Sequence, residues 1–334
     1  MRGTGTVEAK QVVRRRTGMG RGTRTAVLAA GALLLGAVAL PGSSAAEPQQ
    51  NAGMTGPIRI GLTPHAAGCD AATLNTGLTP SASDAGPDVQ RIIKRGKLIA
   101  GIDTNSYLWG FRNPTDGSLQ GFDIDLVHAL AKSILGNADA VEFLAVPTAN
   151  RITALQSGQV DVVVRTMTVT CDRLKQVSFP VPYFNAGQQV LVPKSSKVTG
   201  FNDTLKGKQV CAATGSTAAD MLKDPAKDHG AKVFPVANQL DCLVQMELGN
   251  VDATITDNAL GAGQAAQDPT VHLVGAPLDS EVYGVAMKLG SDDLVRRVNY
   301  VLQDFFTHQW SAEYDHWLKP LGSTPPAPVP HFAG

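Results

Sequence analysis

From residue 87 to residue 321 the spacing of apolar positions changes repeatedly, and the changes mark out strands and helices in alternation. "DVQRIIKRG" has helical spacing and a glycine stop at Gly96, and "KLIAGID" is an apolar run of strand length. In "GFDIDLVHALAKSIL" the residues Phe122, Leu126, Leu130 and Ile134 recur every four positions, which is the stripe of an amphipathic helix. "AVEFLAV" predicts a strand, "ANRITALQSG" a helix and "VDVVVRTMT" a strand. The same grammar then restarts: "GKQVCAAT" strand, "GSTAADMLK" helix, "KVFPV" strand, "QLDCLVQMELGN" helix, "VDATIT" strand. "EVYGVAMKL" predicts one more strand, "DDLVRRVNYVLQDFFTHQW" and "SAEYDHWL" predict closing helices, and "PAPVP" ends the fold. Strands alternating with helices form βαβ units, so the chain reads as α/β with mostly parallel sheets. "ALQSGQVDVVV" is briefly echoed by "QMELGNVDATI", helix, glycine stop, Val-Asp and strand in each, which fits two similar α/β lobes.

The stretch ahead of this pattern is different. "RRRTGMGRGTR", an apolar run "AVLAAGALLLGAVAL" and the small residues "PGSSAA" compose a secretory signal over residues 1–46, with cleavage expected after Ala46. The apolar run is short for a membrane span, no cysteine follows it to carry a lipid, and the arginine triplet alone is a weak pointer to twin-arginine export. Residues 47–87, rich in Pro, Gly, Ala, Ser and Thr, predict an irregular leader held only where Cys69 is tied. Removing residues 1–46 takes seven Lys+Arg and one acid away from 29 of each, leaving 22 basic against 28 acidic residues. The formal neutrality of the whole chain therefore comes from the export signal, and a mildly acidic remainder argues against nucleic acid as a partner. Composition, 43% hydrophobic and 17% charged, is ordinary for a globular chain long enough for two lobes.

All four cysteines, Cys69, Cys171, Cys211 and Cys242, lie in the exported part, where an even count predicts two disulfides in one of three connectivities. There is no CxxC, and the seven histidines are scattered, so no metal or other cofactor is expected.

The candidate chemistry concentrates in "VRTMTVTCDR". Thr166, Thr168 and Thr170 at period two share one face of a strand, and Arg173 follows just beyond it. Three hydroxyls and a guanidinium make a poor core and a good cradle for a small carboxylate, since the planar fork of arginine meets two oxygens at once. A surface ion pair of Arg173 with Asp172 or Asp203 is the competing reading.

With "GIDTNSYLWGF", "GFDIDL", "ALQSGQVD", "TVTCDR", "VSFPVPYF", "GSTAADML" and "VDATITD" in this order, the chain from about Asp88 to Leu321 resembles the amino-acid-binding proteins of bacterial ABC importers, the type II periplasmic solute-binding family. The "RTMTVTCDR", "VCAATGST" and "DCLV" wording is similar to actinobacterial members that bind glutamate, glutamine or aspartate. The resemblance implies two α/β lobes joined by two hinge strands and closing over one polar or acidic amino acid, which is then handed to a membrane permease. Lobe 1 would be residues 88–191 plus 286–321, lobe 2 residues 195–282, with crossovers near Val192–Lys194 and Tyr283–Ala286 and a Pro-rich tail at 322–334. A monomer on the outer side of the cytoplasmic membrane is expected.

The same resemblance assigns the site. Arg173 would hold the ligand α-carboxylate, with Thr168 and Thr170 adding hydroxyl or main-chain contacts, while the role of Thr166 is less defined. Ser216 and Thr217 open a helix whose N–H groups suit an anion, although both would also serve as caps. Asp257 matches the carboxylate that grips the α-ammonium; as a bare sequence feature it reads as a helix N-cap. Trp109 falls where the family places an aromatic ring beside the amino acid, whereas Trp310 and Trp317 read as packing residues. Arg151 and Arg165 hint at an acidic ligand side chain, or are solvated charges. Asp123 and Asp125 read as helix starters. On the lobe assignment, a bond from Cys171 to Cys211 or Cys242 would lock the cleft, so Cys69–Cys171 and Cys211–Cys242 are expected.

An enzyme on the same fold, a dehydratase for example, is the rival reading. Catalysis would need a positioned acid or base, and Glu281 is the nearest unassigned carboxylate to the crossover, but no GxSxG or HExxH motif accompanies it. A sensing ectodomain is the other rival and would need a separate membrane partner.

Overall fold

The computed structural model describes residues 69–333; the expected signal over 1–46 lies outside the described residues. Each lobe is built on a five-stranded sheet with the same plan. In lobe 1, Leu98–Ile102 lies between Val141–Ala145 and Val162–Val163, parallel to both, and Ala286–Lys288 then runs antiparallel between Val162–Val163 and Val177–Ser178. In lobe 2, Gln209–Ala213 lies parallel between Lys232–Val236 and Ala253–Asp257, and Gln188–Pro193 runs antiparallel between Ala253–Asp257 and Val271–Val274. The antiparallel strand in each sheet is the one that has just arrived from the other lobe. That shared plan is the structural basis of the echo between the two sequence halves.

The helix Phe122–Leu135 forms as its apolar stripe requires and buries Phe122, Leu126, Leu130 and Ile134 against the closing helix Asp292–His308 and the sheet. Lobe 2 has its own core, with Val190, Val210, Ile255 and Leu222 on one sheet face and Leu191, Leu243, Met246 and Val271 on the other.

Three expectations need correction. The crossover is earlier than Val192–Lys194, because Gln188–Pro193 already pairs within the lobe 2 sheet. The hinge is instead the small antiparallel pair Phe184–Ala186 with Glu281–Tyr283, in register Glu281↔Ala186 and Tyr283↔Phe184. "EVYGVAMKL" is accordingly two strands and not one, divided between the hinge and the lobe 1 sheet.

The second correction concerns the leader and tail. Thr76–Leu78 and His331–Ala333 form a parallel pair, so the irregular ends are secured against each other. Asn299, fully buried, explains the docking: its Nδ2 donates to the Leu78 carbonyl at 2.7 Å while its Oδ1 accepts from the Val181 N–H at 2.8 Å. Arg296 adds a bond to the Thr79 carbonyl and accepts at its own carbonyl from Ser81. Asn299→Ala takes the Asn299 partner from the buried Val181 N–H and the half-buried Leu78 carbonyl and is expected to cost about 2 kcal/mol. Thermal denaturation reads this directly, and ligand affinity should be unchanged.

The third correction concerns the threonines. The strand ends at Val163, Thr166 takes a left-handed conformation (φ 42°), and Thr168 makes only an isolated bridge to Tyr283. Asp123 supplies the cause, since its Oδ2 accepts the Thr166 N–H at 3.0 Å and draws the chain out of the strand.

Both expected disulfides form. Cys69–Cys171 has a Cα separation of 5.7 Å and Cys211–Cys242 one of 5.5 Å, and each lies within one lobe or ties the leader to lobe 1. The cleft is free of covalent locks.

Candidate functional site

Between the lobes lies a cavity of about 30 Å³ lined by Asp103, Thr148, Arg151, Arg165, Thr166, Thr168 and Arg173 from lobe 1, and by Ser216, Thr217, Gln239, Thr256 and Asp257 from lobe 2. It sits at the carboxyl ends of the parallel strands, where an open α/β sheet exposes main-chain groups and helix starts. A volume of that size holds a water or two, so a larger guest enters only when the lobes part or side chains swing aside.

Arg173 is buried and stands on the short helix Cys171–Leu174, which Thr170 starts by accepting the Arg173 N–H at 3.2 Å. One guanidinium nitrogen donates to the Thr168 carbonyl at 2.6 Å and the other reaches across the cleft to the Gly215 carbonyl at 3.1 Å. The surface pairings that competed for it are taken otherwise: Asp172 binds Lys175 and Asp203 binds His229. Arg151 is also buried, donating to the Thr148 carbonyl at 3.0 Å and to the same Gly215 carbonyl at 3.2 Å. Arg165 bonds Thr148 Oγ1 at 2.9 Å and Asn238 Oδ1 at 3.2 Å, and pairs with Asp103 at 2.8 Å. Burial holds the Arg151 guanidinium well below its usual range, and the neighbouring Arg173 and Arg165 charges push the same way. Burial lowers Arg173 as well, opposed by Glu281 and Asp257.

Asp257 occupies the N-cap position of helix Asn258–Gln267 but makes no capping bond with its side chain. Its Oδ2 accepts from the Tyr283 hydroxyl at 2.6 Å and its Oδ1 from the Gln188 amide. Burial, reinforced by the Glu281 carboxylate, raises its pKa to about 7. A carboxyl in that condition lacks a cation, and an ammonium placed beside it would restore its charge. Glu281 accepts from Thr168 Oγ1 at 2.8 Å, tying a hinge strand to the cavity wall.

Of the residues singled out in the sequence, Thr168, Arg173, Ser216, Thr217, Asp257, Arg151 and Arg165 meet at this cavity. Ser216 does cap its helix, its Oγ accepting from the Ala219 N–H at 3.1 Å, and Thr217 Oγ1 accepts from Gln188. Thr170 is set back as a cap and does not line the cavity. Trp109 does not line it either. It is fully buried against Phe122, Phe184 and Tyr283, and its indole N–H donates to the Ala259 carbonyl of the other lobe at 3.2 Å. Asp103, Thr148 and Gln239 escaped the sequence reading, because a single acid, hydroxyl or amide at a strand or helix end carries no local signal until the second lobe is placed opposite. Asp123 was read as a helix starter, yet it is buried beneath the site, holding Thr166 and the Tyr183 hydroxyl, with a pKa raised to about 7 by burial.

Two lobes on two short strands, a cavity between them, and charged groups aimed into it define a solute-binding protein of the type II periplasmic class. The chain belongs to the bacterial extracellular solute-binding proteins, family 3, whose family model matches residues 98–320. It is 36% identical over 224 residues to the glutamine-binding protein of a Bacillus subtilis ABC transporter, covering 67% of this chain and 81% of that one. It is 38% identical to a glutamine-binding protein of Geobacillus stearothermophilus, covering 66% and 85%. Among solved structures, an ancestral arginine-binding protein bound to arginine is 37% identical with a TM-score of 0.61, covering 67% of this chain and 98% of that one. The solute receptor for L-cysteine of Neisseria gonorrhoeae superposes with a TM-score of 0.66 at 27% identity, covering 70% and 94%.

Proposed function

We propose that this chain captures an amino acid with an acidic side chain, L-glutamate first, between its closing lobes outside the cytoplasmic membrane and delivers it to an ABC permease. The observation that carries this reading is the set of three buried guanidiniums around one cavity, of which Arg165 alone among the described residues is paired with a carboxylate. Arg173 and Arg151 have only carbonyl partners, and two carboxylates on one ligand would answer both. Arg173 would take the α-carboxylate, Asp257 the α-ammonium, and Arg151 the end of the side chain. L-Glutamine is the second reading, favoured by the two glutamine-binding relatives. Its amide would accept from Arg151 through one oxygen without neutralising it.

The role is binding and not catalysis. The carboxyl groups at the site are engaged in holding Tyr283, Gln188, Thr168 and Arg165, and export would follow from the signal read in residues 1–46. Calorimetric titration with L-glutamate, L-glutamine and L-aspartate tests the ligand, and small-angle scattering tests closure. A preferred ligand should shrink the radius of gyration and raise the melting temperature with its concentration, by about 2.7 kcal/mol of stabilisation at a hundredfold excess over Kd. Titrations flat for all three amino acids would refute the assignment.

A further inference from the structure

At the edge of the cavity, where Ser106 and Leu260 still line it, the lobes meet at a second place: the turn Ser106–Trp109 faces the lobe 2 helix Asn258–Gln267. The turn is closed by the Trp109 N–H donating to the Ser106 carbonyl at 3.0 Å. Leu108 within it holds φ 74°, a left-handed conformation that is costly for a branched side chain. The turn is kept that way by the first N–H groups of helix Phe122–Leu135, with Phe122 and Asp123 donating to the Leu108 and Trp109 carbonyls at 2.9 Å. The remaining carbonyl, that of Tyr107, is aimed at the other lobe.

What it meets there is Gly263. A Cβ at this position would lie 2.7 Å from the Tyr107 oxygen, closer than carbon and carbonyl oxygen approach, and the obstacle is backbone that cannot rotate away. Gly263 has ordinary helical geometry, so its own lobe does not require a glycine there. One turn earlier on the same helix, the Ala259 carbonyl accepts the Trp109 indole N–H, and Trp109 packs edge-on against the hinge residues Phe184 and Tyr283. The start of the helix is bound just past the hinge strand, Asn258 N–H donating to the Gly187 carbonyl at 2.7 Å. Ala259 therefore lies near the pivot, and Gly263 about 6 Å further out along the helix, where a rotation of the lobes changes the gap more. A second glycine also approaches the other lobe closely, a Cβ on Gly215 standing 2.9 Å from the Cα of Ala149, but its φ of 80° already calls for glycine within its own lobe, so Gly263 is the cleaner probe.

We propose that Gly263 is the closure stop of this protein, a positioning residue that sets ligand affinity by how far the helix Asn258–Gln267 can close onto the Tyr107 carbonyl, without touching the ligand. The proposal rests on the reading that ligand is held by lobe closure. A methyl group at 263 leaves the open form untouched and props the closed form apart, so the ligand loses contact with one lobe.

The test compares full-length wild type, Gly263→Ala and Gly263→Leu in titrations with L-glutamate and L-glutamine, in scattering at saturation, and in ligand-free melting. The expected result is binding at least tenfold weaker for Gly263→Ala and weaker again for Gly263→Leu, with less compaction on ligand addition. Ligand-free melting of Gly263→Ala should be unchanged or higher, because alanine favours the helix over glycine. Wild-type compaction at saturation establishes the closure reading independently. Equal affinity and equal compaction of Gly263→Ala would then overturn the stop alone. A lowered ligand-free melting temperature would also overturn it, by showing the contact with Tyr107 to be permanent packing.

Discussion

Arg173→Lys is expected to weaken amino-acid binding by about 2 kcal/mol or more, close to thirtyfold, while the ligand-free protein melts within a few degrees of wild type. Lysine keeps the charge but not the fork. Arg173 now serves two carbonyls on opposite lobes, Thr168 and Gly215, with two separate nitrogens 2.6 Å and 3.1 Å away. A bound carboxylate would replace the Gly215 carbonyl by two oxygens in the plane of the guanidinium, an exchange a single ammonium cannot reproduce. Calorimetry on the pure variant decides it, and wild-type affinity would remove Arg173 from the site.

The second large effect follows from Asp257. With a pKa raised to about 7 by burial and by Glu281, Asp257 is partly protonated at neutrality. An α-ammonium binds the ionised form, so binding expels a proton below that pKa and affinity falls as the pH drops. Between pH 7.5 and pH 5.5 the loss should be about 25-fold, against a ceiling of about a hundredfold for one proton released over two pH units. Asp257→Asn should bind at least tenfold more weakly at pH 7.5 and lose the slope. A slope that persists in the variant assigns the proton elsewhere, to the buried Asp123 first, whose pKa is raised to about 7 as well.

The sequence was most legible where one element carries its own signal. Helix Phe122–Leu135 follows from its stripe, the lobe 2 strands from apolar runs such as "VDATIT", and Arg173 from a guanidinium that had no apolar reason to be beside three threonines. What failed to show depends on distant partners. The hinge strands are three residues each, with one polar residue apiece (Asn185 and Glu281), too short to show a period, so only their pairing distinguishes them from the sheets they join. Thr76–Leu78 and His331–Ala333 lie more than 250 positions apart and have no periodicity of their own, and Asn299 is the residue that holds that edge. "VDVVVRTMT" reads as nine residues of strand, yet the Asp123 carboxylate from another helix claims the Thr166 amide and ends it early. Trp109 is an aromatic ring in the right neighbourhood whose nitrogen found a carbonyl in the opposite lobe before it could border the cavity.

The separation of the cores has a consequence for how the molecule comes apart. The apolar clusters of lobe 2 draw on residues 190 to 274 alone, while those of lobe 1 recruit from the other lobe little beyond Ala259 and Leu260. Each disulfide likewise closes a loop that never crosses the cleft. Two such bodies, joined by strands three residues long, should behave as separate cooperative units, and heat is expected to release them at separate temperatures in the absence of ligand. An amino acid gripped by Arg173 on one side and Asp257 on the other contributes what the hinge does not, a shared stake in both folds. Calorimetric traces with two steps would then fuse into one as the ligand concentration rises.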